Sequence, residues 1–168
     1  MMDIMLDIET LSTKPNAAVF EIAMVVFDKH GALADPHFHV GFKPTTGHIC
    51  PETVAWWLSR AKVCSLQHSV ATEAQAAKMV HDFLASKPKH RLWAMPASFD
   101  CIILEQFLER NGYDMPTGFR NWRDLRTVRE LANWPDPAVA PGHIGHNALH
   151  DVRRQINTLT ACWERLAK

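Results

Sequence analysis

Asp7 and Glu9 stand one residue apart in the apolar run Asp3-Ile4-Met5-Leu6-Asp7-Ile8-Glu9-Thr10. In an extended strand, residues i and i+2 share a face, so Ile4, Leu6 and Ile8 point one way and the two acids the other. Carboxylates side by side repel each other and are costly to bury. A hard divalent cation such as Mg²⁺ or Mn²⁺ prefers oxygen ligands and removes that cost. The alternative for this pair is an edge strand with a solvated acidic face. Two more acids fall where helices are predicted to begin. Asp100 lies in the first turn of a helix over 99–111, where it also complements the helix dipole. Asp151 lies near the start of a helix over 147–166, and His146 precedes it with four residues between them. Helix starts that return to the C-terminal end of a strand are a common way for α/β folds to gather a site. Asp7, Glu9, Asp100, Asp151 and His146 therefore have a reason to meet.

The elements that must position them can be read in order. The turn-rich segment 11–16 ends the first strand. Residues 19–28, rich in Val, Ile and Phe, predict a second strand, interrupted by Glu21. That glutamate sits either near an exposed strand end or on the acidic site. Alternation over 37–42 predicts a third strand, giving an antiparallel meander. A helix over 51–60 starts with Pro51 and carries Trp56 and Trp57. Neighbouring helix positions diverge by about 100°, so one ring is expected in the core and the other half exposed as a stacking surface. Thr72-Glu73-Ala74-Gln75 is a capping-box pattern. It opens a helix to about residue 85, with Ala76, Met79, Val80 and Phe83 on one face. Short strands are predicted over 91–95 and 119–124, and Gly112 suits the end of the helix between them. A further helix runs to about residue 132. Arg120, Arg123, Arg126 and Arg129 recur every third residue across this junction, a loose basic stripe. Residues 133–145 hold Pro135, Pro137, Pro141, Gly142 and Gly145 and predict the longest irregular segment. The final helix shows a stripe of Val152, Ile156, Leu159, Trp163 and Leu166.

With 168 residues, 47% of them hydrophobic and 21% charged, the chain reads as one domain spanning 1–168 with a substantial core. The formal net charge of +0 excludes a global basic field, so a polyanion must be held by metal or by a local patch. Cys50, Cys64, Cys101 and Cys162 form no Cys-x-x-Cys pair. A disulfide framework or cysteine zinc site is therefore not expected, and a reduced compartment is. No signal peptide and no membrane-crossing run are read, so a cytoplasmic protein without membrane partners is expected.

The ordered set resembles the DEDDh class of DnaQ-like 3′–5′ exonucleases, in the ribonuclease H-like superfamily. Asp7-Ile8-Glu9-Thr10 matches the first family motif, Phe99-Asp100 the second, and His146 to Asp151 the third, across nearly the whole chain. Within the class, Trp56-Trp57 and the segment 93–100 are most similar to the group of the phage DexA exonuclease and its related small exoribonucleases. The resemblance implies a central mixed sheet of five strands, the meander first and parallel strands after it, flanked by helices. It implies hydrolysis of single-stranded RNA or DNA from the 3′ end, with two divalent ions, Mg²⁺ or Mn²⁺. Asp7, Glu9 and Asp151 would hold one ion, Asp7 would bridge to the second, and Asp100 would act mainly through water. His146 would be the general base, a role suited to a side chain that titrates near neutrality. Thr10, Leu11 and Phe99, together with Trp56 and Trp57, are the expected substrate contacts. Met95 and Pro96 replace the Asn and Gly that often precede the second motif, which bears on strand contacts rather than metal binding. A homodimer is compatible with this reading.

Two rivals follow from the same residues. His143, His146 and His150 offer a zinc set, with His146 and His150 at i, i+4, although no Glu lies between them in the His-Glu-x-x-His manner. A catalytically silent nucleic-acid or protein-binding module on the same fold is the other; the complete set of acids speaks against it.

Overall fold

The computed structural model describes residues 2–60, 70–87 and 89–168; Cys64 and Pro88 fall outside them. β1 (Met2–Thr10) is the central strand on which the site is built. Its Ile4, Leu6 and Ile8 enter one core and Met5 the other, as strict alternation requires. β2 (Val19–Asp28) and β3 (Gly31–Lys43) complete the antiparallel meander. Glu9 stands opposite Glu21, and Glu21 opposite Gly41. β4 (Ala71–Thr72) pairs in parallel with the end of β3. β5 (His90–Ala94) joins the other side of β1 in parallel, and β6 (Trp122–Asp124) extends the sheet beyond it. The order is β4-β3-β2-β1-β5-β6. Among the described residues the sheet thus has six strands rather than the five expected. The extra one is a two-residue edge strand that exists through its pairing with Phe42 and Lys43, not through a pattern of its own.

Helices cover both faces. α1 (Pro51–Leu58) ends two residues before its predicted limit. α2 (Glu73–Ala85) opens with the full capping box, Thr72 and Gln75 each bonding the other's backbone. α2 and α3 (Ala97–Arg110) pack on the face carrying Ile4, Leu6, Ile8, Ile22 and Met24. The buried stripe of α2 is Ala76, Ala77, Val80 and Leu84, while Met79 is exposed. The helix is rotated from the predicted face, burying the larger Leu84 together with Ala77 and turning Met79 outward. Gly112, at φ +83°, takes the left-handed conformation just past α3. On the opposite face, α4 (Leu125–Leu131) and α5 (Ala148–Leu166) cover Met5, Ala23, Val25, Phe27 and Trp93. Val152, Ile156 and Leu159 of α5 are fully buried, whereas Leu166 in its last turn is exposed.

The four arginines do not make one stripe. Arg120 lies in a 3₁₀ turn (Phe119–Asn121), Arg123 on β6, and Arg126 and Arg129 on α4. Residues 133–145 carry no helix or strand, and Asn133 and Trp134 both have positive φ. The described cysteines, Cys50, Cys101 and Cys162, are free. Among the described residues no helix is long and apolar enough to cross a membrane.

Candidate active site

β1 delivers its acids at its C-terminal end, and three separate clamps bring the other elements to them. The first is Asp100, buried in the first turn of α3, whose Oδ1 accepts the Ile8 N–H at 3.2 Å. This bond ties the start of α3 to the backbone between Asp7 and Glu9. The second is Asp124, which caps α4 through Thr127 N and also accepts Ala97 N–H at 2.7 Å. The third is Asn147, the N-cap of α5. Its Oδ1 accepts His150 N–H at 3.1 Å, and its Nδ2 donates to Glu21 Oε1 at 3.3 Å. A cap satisfies backbone donors that the first helical turn leaves unpaired. Here the same side chain also fixes α5 to β2.

Asp151 then projects from the first turn of α5 toward β1. Its Oδ2 accepts the His146 N–H at 2.7 Å, and His143 Nε2 lies 3.3 Å from its Oδ1. His146 adopts φ +62°, a conformation that costs a non-glycine residue energy and is held by its surroundings. Its ring packs edge-on against Trp56, with centroids 4.7 Å apart. Ligand atoms of Glu9, His146 and Asp151 all lie within 4.8 Å of one another. Asp7 Oδ1 accepts from Gln155 Nε2 at 2.7 Å. Gln155 follows Asp151 by one helical turn, so the i, i+4 spacing held the signal for this partner.

The electrostatics of the cluster are severe. Burial, followed by the charges of Asp100, Glu9 and Asp151, holds the Asp7 carboxyl well above its ordinary range. Burial and then Glu21, Asp151 and Asp100 push Glu9 up to about 9. Burial raises Asp100 to about 7, opposed by the N–H groups of Ile8 and Asp100 itself. Bare, Glu9 favours its protonated form at neutral pH, because its charged form would be buried beside other carboxylates. A set of convergent oxygen donors with uncompensated negative charge is what a hard divalent cation requires. The residues present therefore fit such ions. Among the described residues, the donors that close to ligand distance are Glu9, His146 and Asp151, not the three histidines. His150 Nδ1 instead accepts from Ile144 N–H at 3.0 Å.

A cleft of about 400 Å³ opens beside Glu9, lined by Thr10, Trp56, Trp57 and Phe99 among others. Trp57 is the core ring: it is buried, donates Nε1–H to the Thr10 carbonyl at 2.9 Å, and meets Phe20 edge-on. Trp56 is 36% exposed and is the ring offered to the cleft. Leu11 departs from expectation. It is buried with Ala18, Phe20 and Trp57 and does not line the cleft, because the chain turns after Thr10 and sends it beneath α1. Glu21 resolves toward the acidic site: it is fully buried, faces Glu9 across the sheet and accepts from Asn147, with His39 Nε2 2.7 Å away.

Residues 2–163 match the family model of the 3′–5′ exoribonuclease Rv2179c-like domain. The chain belongs to that family. It is also 24% identical, over 197 aligned positions, to the exodeoxyribonuclease of enterobacteria phage T4, covering 93% of this chain and 86% of that protein. Its fold is shared with exonuclease I from Methylocaldum szegediense, at TM-score 0.76 and 21% identity. Exonuclease I of E. coli in complex with a dA16 oligonucleotide gives 0.76 and 18%. A zinc-bound form of the E. coli enzyme with single-stranded DNA gives 0.73 and 19%. Each comparison covers 99% of this chain but only 41% of the other, so the chain spans about two fifths of exonuclease I. This Rv2179c-like domain is thus a DnaQ-like exonuclease domain with a mixed sheet flanked by helices.

Proposed function

We propose that this domain hydrolyses single-stranded RNA or DNA from the 3′ end, one nucleotide at a time, releasing nucleoside 5′-monophosphates. The observation that carries this reading is the convergence of Asp7, Glu9, Asp100, Asp151 and His146 beside a cleft walled by Trp56 and Phe99. Asp7, Glu9 and Asp151 would hold a divalent ion, Mg²⁺ or Mn²⁺, with Asp7 shared by a second and Asp100 acting mainly through water. Such a pair, when bound, supplies an activated water and stabilises the leaving 3′ oxygen. His146 takes up the water's proton on its ring, held near the acids by Trp56 and by its own strained backbone. The half-exposed face of Trp56 stacks on an unpaired base, which a rigid duplex cannot offer. Trp57 and the Asp100–Ile8 bond keep the cleft wall and the acids in register.

Asp7→Asn tests the assignment. It keeps an acceptor for Gln155 but removes the charge shared between the ions. Turnover of a single strand in Mg²⁺ should vanish, while the fold survives and the metal-free protein is as stable as before or more so. Full activity in Asp7→Asn, or of the unaltered chain in excess EDTA, would overturn the proposal.

A further inference from the structure

The irregular segment after α4 carries Asp136 into a gap between two arginines. Asp136 Oδ1 lies 3.4 Å from Arg129 Nη2 of α4 and 3.5 Å from Arg154 Nη2 of α5. Arg154 follows Asp151 by one helical turn. The same three residues line a cavity of about 240 Å³ together with Asp7, Asp151 and Gln155. Gln155 is held in its wall by the bond from its Nε2 to Asp7 Oδ1.

We propose that Arg129 and Arg154 form a docking site for a phosphodiester of the nucleic-acid strand, which Asp136 fills until a strand arrives. This rests on the exonuclease reading above. Two guanidinium groups here share one carboxylate oxygen, at distances beyond the roughly 2.7–2.9 Å of a strong charge-assisted bond. Asp136 is 64% exposed on its side chain, and an ion pair that open to water is weak. A phosphodiester presents two non-bridging oxygens, one for each fork. Arg129 is already oriented: its Nε donates to the Pro135 carbonyl at 3.2 Å, and its guanidinium lies 5.2 Å from the Trp134 ring. The site also answers an electrostatic need. A strand approaching the acids of a chain with net charge +0 requires local cations. Of the four regularly spaced arginines, only Arg129 lines this cavity, and its partner comes from another helix.

The test is binding of a short 5′-fluorescein-labelled single strand in Mg²⁺, read by anisotropy, in an Asp7→Asn background that leaves the strand intact. Adding Arg154→Gln should weaken binding about five- to tenfold and reduce the slope of log affinity against log salt by about 0.7. Adding Asp136→Asn should tighten binding, because it removes the competing carboxylate. Arg120→Gln, an exposed arginine outside the cavity, is the charge-matched control and should cost much less. Equal losses in Arg154→Gln and Arg120→Gln would overturn the site, as would no detectable binding. Weakened binding in Asp136→Asn would show that Asp136 merely pins its loop, and would also overturn it. Competition by AMP in the Asp7→Asn protein that disappears with Arg154→Gln would assign the site to released product, against the strand. Failure of the unaltered protein to shorten the same strand in Mg²⁺ would instead refute the exonuclease assignment, a failure visible separately from any change in affinity.

Discussion

Glu9→Gln isolates the electrostatic claim on which the site depends. Glu9 is 9% exposed, and burial followed by Glu21, Asp151 and Asp100 moves its carboxyl from 4.5 to about 9. The unfolded chain releases this proton near 4.5, whereas the metal-free folded chain keeps it to about 9. The folded state therefore binds more protons throughout that window, and its stability falls as pH rises across it. At about 1.36 kcal/mol per pKa unit, this single group costs the folded protein about 3 kcal/mol at pH 7 and about 6 kcal/mol at pH 9. Glutamine has nearly the same shape and no charge to lose, so it escapes the cost. In EDTA the variant should match the parent near pH 4.5 and exceed it by about 3 kcal/mol at pH 7. For a domain of this size that is a rise of about 6–12 °C in Tm. Thermal unfolding followed by circular dichroism at several pH values measures it directly. A Tm difference independent of pH, or a variant less stable than the parent at pH 7, would refute the reasoning. Saturating Mg²⁺ should narrow the gap, because the parent binds the ion more tightly and gains more from it.

Three other substitutions separate roles within the cleft. His146→Ala should retain metal binding and fold but lose about 10²–10⁴-fold in turnover at saturating strand; metal release measured by calorimetry would mark His146 as a ligand instead. Trp57→Ala should cost about 3–5 kcal/mol of stability in chemical denaturation. Trp56→Ala should leave stability nearly unchanged and weaken single-strand binding by about 1–3 kcal/mol, and equal effects of the two on stability would contradict the division.

The parts of the fold carried by local pattern were legible in the sequence. The alternation of β1, the capping box of α2, the left-handed Gly112 and the α5 stripe as far as Trp163 each follow from short-range physics, and the structure shows them. The two tryptophans divide into core and surface as their angular separation demands. What pattern could not show depends on pairing at a distance. β4 has no periodicity in two residues. α2 is turned so that Ala77 and Leu84 join Ala76 and Val80 in the core, which leaves Met79 outside. Leu11 follows the first motif directly, yet the turn after Thr10 buries it under α1. Glu21 was ambiguous until its register with Glu9 and its bond from Asn147 were visible. The evenly spaced arginines looked like one stripe, but they span a 3₁₀ turn, a strand and a helix whose boundaries are set by β6 pairing.

Directional, metal-dependent removal of nucleotides is read out by matched end-labelled strands. The same single-stranded oligonucleotide, labelled at its 3′ or its 5′ end, would be digested with Mg²⁺ or Mn²⁺ and sampled over time. The 3′ label should appear at once as a mononucleotide while the 5′ label moves down a ladder of shortening strands, and EDTA should stop both. Immediate release of the 5′ label, internal fragments from both substrates, or undiminished digestion in EDTA would contradict it.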